Sequence, residues 1–567
     1  MYPLSSFLFR TGACLLFLTG LMFCHHSVDA QSTDIPLHQP AYHEADRLEI
    51  LSGRLPSTYT SFVKPYAASA LIPFVQQADS QMHPVLSRVD QYAIRQIYTD
   101  YPEWLQDSTL ADSSRHPLWK LFYTSPAYLF QYHSPDLYFT INPVLLLQGG
   151  KETHDGDLLF VNTRGLELKG RLANKIGFYS FLSDNQERPP LFVQQWIHQY
   201  KAVPGMGFYK SYRGNGVDYI HATGYISFQV TRFIDVNFGY GKNFLGDGIR
   251  SMFLSDFSND YLYLKLNTNV WRLHYYNLFA ELTSQFNPDS DYLRPKKYMA
   301  LHDLSMDITH WLNAGVFESV IFTRPDHFDF QYLNPVIFYR SVEQQLGSPD
   351  KAHVGFHAKA DVAHHWQFYG QFLFDELRIS EFLSHDGWWG NKWAAQLGAK
   401  YINAFGIHNL DLQGEMNIVR PYTYTHSDTI TNYTNYNQPL ADPMGANFRE
   451  FIGIARYQPL PRLVLQGQLL FVQQGRDTTG VNWGSNIFKS YYTRQQDYNN
   501  RIGQGLEAKI ASLNLLLSYE IKYHLYLDLS YLYRKTGGAY FLYDPQPDTH
   551  FISVALRWDI ARRTYDF

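Results

Sequence analysis

The stretch Ala511-Ser-Leu-Asn-Leu-Leu-Leu-Ser-Tyr-Glu-Ile-Lys-Tyr523, followed after His524 by Leu525-Tyr-Leu-Asp-Leu-Ser-Tyr-Leu-Tyr533, decides the fold. Ala511, Leu513, Leu515, Leu517, Tyr519, Ile521 and Tyr523 alternate with Ser512, Asn514, Ser518, Glu520 and Lys522, and Leu516 is the lone intruder. A period of two puts these sets on opposite faces of a strand. The second run repeats the pattern, Leu525, Leu527, Leu529, Tyr531 and Tyr533 against Asp528, Ser530 and Arg534. Together they read as two strands joined by a tight turn.

The alternation recurs. Over 226–240 the even positions Ile226, Phe228, Val230, Ile234, Val236, Phe238 and Tyr240 oppose Ser227, Gln229, Thr231, Asp235 and Asn237. From 409, Leu410, Leu412, Met416 and Ile418 oppose Asp411, Gln413, Glu415 and Asn417. The last such segment sets Ile552, Val554, Leu556, Trp558 and Ile560 against Ser553, Ala555, Arg557 and Asp559. Shorter versions lie at 262–266, 366–376 and 393–401. A soluble antiparallel sandwich alternates as well. Three features favour a membrane barrel: Tyr or Trp near the ends of the apolar faces, persistence of the pattern from about residue 122 to the end, and charged residues on the polar faces, as a watery lumen allows. The expected fold is therefore all-β, a transmembrane antiparallel β-barrel spanning 122–567, of about 16–18 strands with 18 favoured.

Composition agrees. Phe, Tyr and Trp number 40, 44 and 11, making 17% aromatic, against 17% charged residues and a net charge of −5. No basic excess invites a nucleic-acid partner; rings with one apolar and one wet end suit contact with outer-membrane lipid. Residues 1–30 read as a signal peptide: Arg10, an apolar run from Ala13 to Cys24, and small residues closing at Ala30. Both cysteines, Cys14 and Cys24, lie in it, so the exported chain would have no disulfide, thiolate metal site or cysteine nucleophile. No later stretch holds eighteen consecutive apolar residues. Residues 31–121 break the alternation. Tyr42–Gly53 and His83–Tyr98 follow helical spacing, and Pro102 and Pro117 lead into the barrel, so a small, partly helical segment is expected at the periplasmic mouth or as a plug in the lumen.

Chemistry-bearing clusters are sparse. Gly239–Ser251 is glycine-rich, but Asp247 stands where a phosphate loop needs lysine; it reads as a wide turn, at a loop tip or folded inward, with glycines at positive φ and Asp247 and Arg250 solvated or paired locally. The 23 histidines show no ligand spacing, and His364-His365 would face opposite sides of a strand. No metal, cofactor or catalytic residue is expected, since a nucleophile elbow is absent and the carboxylates of Asp375-Glu376 and Asp303/Asp307 read as lumen charges paired with arginine. Glu415, Arg420, Arg340 and Glu343 could build a charge ladder inside the barrel. The candidate ligand-binding residues lie in Ser384–Trp393 and Arg420–His426: Trp388, Trp389, Asn391, Arg420, Tyr422 and Tyr424, with Asp247 and Arg250 as a further surface. Sugars offer apolar C–H faces and hydroxyl rims that ring stacking and polar side chains match. The competing reading is an interfacial aromatic girdle without ligand.

Six strings, Phe160-Val-Asn-Thr-Arg-Gly165, Gly246–Ser255, Tyr332-Leu-Asn-Pro-Val336, Gly347-Ser-Pro-Asp350, Arg420-Pro-Tyr-Thr-Tyr424 and Gly445-Ala-Asn-Phe448, together resemble the Wzi capsule-assembly family, in its Bacteroidetes branch with the RemB gliding-motility proteins. The resemblance implies a non-enzymatic outer-membrane barrel of about eighteen strands in a Gram-negative cell. It would bind or organise surface polysaccharide, with capsule-export or gliding machinery as partners. A general diffusion porin or outer-membrane transport channel is the alternative, and it needs an open lumen.

Overall fold

In the computed structural model the described residues are 33–105, 107–114, 117–173, 175–286, 293–324, 327–538 and 548–567. The expected signal peptide lies outside them. Eighteen antiparallel strands, from β1 (Leu137–Glu152) to β18 (Asp548–Trp558), run up and down and close on themselves through the pairing of β18 with β1, Phe551 opposite Glu152 and Trp558 opposite Leu145. Closure pairs the backbone all round and leaves no edge, as a wall in lipid requires. The first closing strand starts at Leu137, later than the expected 122, with the short strand Phe130–His133 alongside it.

The sides of the alternation settle what the wall faces. On β16 (Leu506–Lys522) Leu515, Leu517, Tyr519 and Ile521 are 41–44% exposed, whereas Ser518 and Glu520 on the opposite face are 6% and 2% exposed. A soluble sandwich would bury the apolar set; this wall turns it outward. The same holds for Ile226, Phe228 and Val230 on β4 (Gly216–Thr231) and for Phe238 and Tyr240 on β5 (Ile234–Gly241). The 226–240 segment is thus a hairpin turning at Arg232-Phe233, and a register shift beside the turn keeps the even residues outside.

One rim carries short turns, such as 232–233, 271–272, 363–365, 461–462 and 523–524, and the other carries the long loops 189–215, 242–260, 323–350, 377–391, 420–447 and 477–505. In membrane barrels the short turns face the periplasm and the long loops the exterior. Aromatic rings mark the short-turn rim: Trp366 stacks on Tyr401 at 4.0 Å beside Phe405, and Trp271 and Trp311 are exposed there. His364-His365, expected on a strand, sits in one of these turns, where His364 bonds the carbonyl of Leu51.

Three helices close the short-turn rim: α1 (Pro40–Ser52), α2 (Ala68–Met82) and α3 (Arg88–Asp100). Ser87 caps α3 in a capping box with Asp90, so that helix starts five residues after the expected His83. Buried Arg47 joins Asp90 of α3 at 2.8 Å to Asp411 of β13 (Leu410–Val419) at 2.5 Å. Ser87 reaches Asn409, Tyr92 reaches Glu520, and the amide of Leu55 donates to the carbonyl of His310. Between α1 and α2 the chain pushes inward: Phe62 stacks on His357 at 3.6 Å, and Val63-Lys64 pairs with Phe244-Leu245 of the 242–260 loop, which descends from the opposite rim.

Two further pieces enter the lumen. Loop 420–447 hangs on Tyr424, whose hydroxyl donates to the carbonyl of Met252, and on Tyr433, which donates to that of Phe253. After β18 the tail 559–567 folds back inside. Arg563 and Tyr565 meet Glu187 at 3.4 and 3.0 Å, and Phe567 packs on Trp196 and Phe192. The terminal aromatic residue is therefore lumen packing. Ile560, expected to continue the last strand, lies beyond its end at Trp558.

Loop 323–350 goes the other way. It lies on the outer wall, where its short helix α5 (Tyr339–Gln345; α4 is Leu191–Tyr200) receives Glu318 at its N-terminus: the amides of Tyr339 and Arg340 both donate to that carboxylate at 2.8 Å, and Tyr339 stacks on His302. Arg340 and Glu343 thus bridge each other on an outer helix instead of standing in a lumen ladder. Glu415 does point inward, as expected.

Candidate functional site

The glycine-rich loop 239–251 is folded inward, but its glycines serve a purpose other than the expected one. None of Gly239, Gly241, Gly246 and Gly248 has a positive φ. Gly248 passes so close to β13 that a Cβ there would stand 2.3 Å from Glu415 Oε2. Absence of a side chain lets the next two amides, of Ile249 and Arg250, donate to Glu415 at 2.6 and 3.0 Å. Arg250 and Asp247 are buried and paired with residues distant in sequence, not locally: Arg250 lies 3.2 Å from Glu450, 3.2 Å from Asp566 and 3.8 Å from Asp442, and Asp247 lies 3.4 Å from Lys359. This cluster ties loop 242–260 to the wall, to loop 420–447 and to the tail 559–567 inside the barrel and leaves neither side chain to an external ligand.

Carboxylates singled out by sequence pair with Lys and His where Arg was expected. Asp375 meets Lys351, Glu376 meets Lys392, Asp303 meets His357 and Asp307 meets His274. Among the described residues no three His, Cys, Asp or Glu side chains gather as a metal would need.

Tyr422 and Tyr424 are at most 1% exposed, so they offer no stacking plane; Tyr422 donates to the carbonyl of Asn482, and burial pushes its phenol up to about 12. Arg420 reaches the carbonyls of Trp388 and Asn500 at 3.5 and 3.3 Å, and burial draws its pKa below the ordinary guanidinium value. It joins loop 377–391 to loop 477–505. Trp388 and Trp389 are half-buried on the external rim, 5.7 Å apart. Arg378 lies over Trp388, whereas Trp389 is covered by Arg494 at 4.2 Å and Lys392 at 5.1 Å and leans on Tyr491 at 4.9 Å. Asn391 is buried beside them, and its Oδ1 has no hydrogen-bond partner among the described residues.

The sequence reading missed the other half of this cluster. Tyr491, Tyr492 and Arg494 sit in Lys489-Ser-Tyr-Tyr-Thr-Arg494, and Tyr492, at 71% exposure, offers the most open ring of the group. The composition that singled out Ser384–Trp393, adjacent rings flanked by polar and cationic groups, is present there too. The rim cluster can stack a sugar ring and donate hydrogen bonds to hydroxyl or carboxylate groups.

These features define a closed eighteen-stranded membrane-type barrel, its lumen filled by its own chain, with an aromatic and cationic cluster on the long-loop rim. No protein-family model matches the chain, and no curated protein matches it. Among solved structures it is similar to Wzi, described as an outer membrane protein involved in group 1 capsule assembly in Escherichia coli and a carbohydrate-binding β-barrel. That match has 12% identity, covers 94% of this chain and 100% of that one, and has a TM-score of 0.55. OprD of Pseudomonas aeruginosa matches at 11% identity over 74% of this chain and 94% of its own, with a TM-score of 0.41. OccAB4 of Acinetobacter baumannii matches at 9% identity over 75% and 98%, with a TM-score of 0.39. At such identities the likeness to Wzi is one of fold.

Proposed function

We propose that this protein is a non-enzymatic outer-membrane barrel, exported by its leader 1–30, that holds or organises surface polysaccharide at the cell exterior. Capsule or exopolysaccharide assembly, or gliding as in the RemB-like branch, is the setting, with export or motility machinery as partner. The observation that supports this most is occlusion from both ends: the chain between α1 and α2 and loop 242–260 meet inside the barrel, and inward side chains such as Lys265, Lys297 and Glu415 are at most 2% exposed. A diffusion porin needs a continuous water path instead. With passage blocked, the chemistry left to the protein is on its external loops, where Trp388, Tyr492 and Arg494 cluster.

Two measurements test it. Planar-bilayer recording should give no steady channel current; large ohmic conductance would replace this reading with the porin. Immobilised capsular or exopolysaccharide from the host's own surface should retain the detergent-solubilised protein. Trp388→Ala with Tyr492→Ala should weaken retention about 10-fold, on the basis of about 0.5–1.5 kcal/mol for each ring. Unchanged retention would remove the rim cluster from the proposal.

A further inference from the structure

The outer wall carries a concavity of about 670 Å³ across β13, β14 (Phe448–Leu460), β15 (Leu463–Arg476), β16 and β17 (Leu525–Gly538). Register builds its upper edge: Arg449 stands opposite Gln473, Gln473 opposite Lys509, and Lys535 one outward step lower, opposite Ala511. All three cations are exposed and outward-facing, at the end of the barrel that bears the long loops. Lys509 shares Glu507 at 3.0 Å; Arg449 and Lys535 have no ion pair among the described residues. Below them the floor is apolar, formed by Met416, Phe451 and Phe471, each nearly half exposed.

The height of the cluster follows from the strand itself. From Ala511 to Ile521 the outward residues of β16 are all apolar or aromatic. Ten residues span about 34 Å of strand, and a tilt of about 40° makes that about 26 Å along the membrane normal, the height of the apolar band. Lys509 is the next outward residue above this band. The cations therefore ring the top of an apolar groove at the level of lipid headgroups, and not out in the loops where they would serve solubility.

We propose that Arg449, Lys509 and Lys535 bind the phosphate of a phosphorylated lipid in the outer leaflet, with an acyl chain lying in the groove over Met416, Phe451 and Phe471. Convergent cations match a phosphate's charge and acceptor oxygens, and the floor gives the chain a protein surface in place of other lipids. The proposal rests on the membrane-barrel reading and is independent of polysaccharide binding.

The test uses the purified full chain in nonionic detergent, with native mass spectrometry and titration. The probes are a bisphosphorylated acylated glucosamine disaccharide, its dephosphorylated form, and inorganic phosphate. The expected result is a one-to-one adduct with the phosphorylated lipid, about 100-fold weaker in Arg449→Gln/Lys509→Gln/Lys535→Gln and kept in Lys509→Arg/Lys535→Arg. Heat-dependent gel mobility reports folding; if the triple variant fails to fold, the three single neutralisations must each weaken the adduct. Equal binding of the dephosphorylated lipid, or wild-type binding by the folded variants, would overturn the site. Displacement by millimolar inorganic phosphate would overturn the assignment to lipid.

Discussion

Replacing Arg250 by methionine removes the cation that faces Glu450, Asp442 and Asp566 inside the barrel. Glu450 and Asp442 have fully buried side chains, and the guanidinium also donates to the backbone carbonyl of Asp566. Methionine replaces much of the stem's packing but none of the charge, and removing one partner of a buried ionic cluster costs about 3–5 kcal/mol. For a urea slope near 3 kcal/mol/M this is a midpoint lower by about 1–2 M. The deficit should depend on pH. Burial, reinforced by Glu450, already holds the Asp442 carboxyl well above the usual carboxylate range, and Arg250 opposes that rise. An acid with a raised folded pKa contributes stability that is present at low pH and lost as pH climbs through that pKa. Without Arg250 the rise is larger, so the variant should lose more at pH 8 than at pH 5. Glu450→Gln in the same chain should recover part of the loss. Urea unfolding in micelles, followed by tryptophan fluorescence and heat-dependent gel mobility, measures all of this. Midpoints within about 0.2 M of wild type at both pH values would mean that water screens the cluster, and the argument for a dry, filled lumen would fail.

Three further outcomes follow from the same packing. His524 lies between Asp559 at 3.0 Å and Asp100 at 3.3 Å; burial works against its charge, but the two carboxylates prevail and raise its pKa well above the ordinary value. The stability it gives is complete below pH 6.5 and lost as pH rises through the raised pKa, so limited proteolysis at α3 should increase with pH in the wild type and be high and nearly pH-independent in His524→Gln. Gly248→Val forces loop 242–260 away from Glu415; a loss of about 1–3 kcal/mol should appear as a lower thermal midpoint, and an unchanged midpoint would refute the close-approach role of that glycine. Glu318→Gln removes the anion at the start of α5 and should weaken docking of loop 323–350 by about 1 kcal/mol, seen as faster protease cleavage in that loop on intact cells while the barrel stays resistant.

Much of the wall was legible because a strand in lipid must alternate, and Leu515, Leu517, Tyr519 and Ile521 against Ser518 and Glu520 obey that rule without help from neighbours. The helical spacing before Pro102 was legible too, although Ala68–Met82 was missed and Val85, counted as helical, is exposed ahead of the Ser87 cap. Tyr422 and Tyr424 show where the reading stops. Their composition is that of a sugar platform, but the same rings serve equally well as struts, and only their neighbours, Asn482 and Met252, distinguish the two. Arg340 and Glu343 fail for a related reason: a charged pair three residues apart fits an outer helix as well as a lumen wall.

The amino-acid order alone determined that the chain forms a barrel with an apolar exterior, since periodicity is local and each strand carries its own two faces. What fills that barrel was decided only in three dimensions. Arg250 meets Asp566, Phe62 meets His357 and Lys64 meets Phe244 across separations that no local pattern encodes. Closure of the lumen is a sum of such distant pairings, each favourable only when the wall has already brought the segments together.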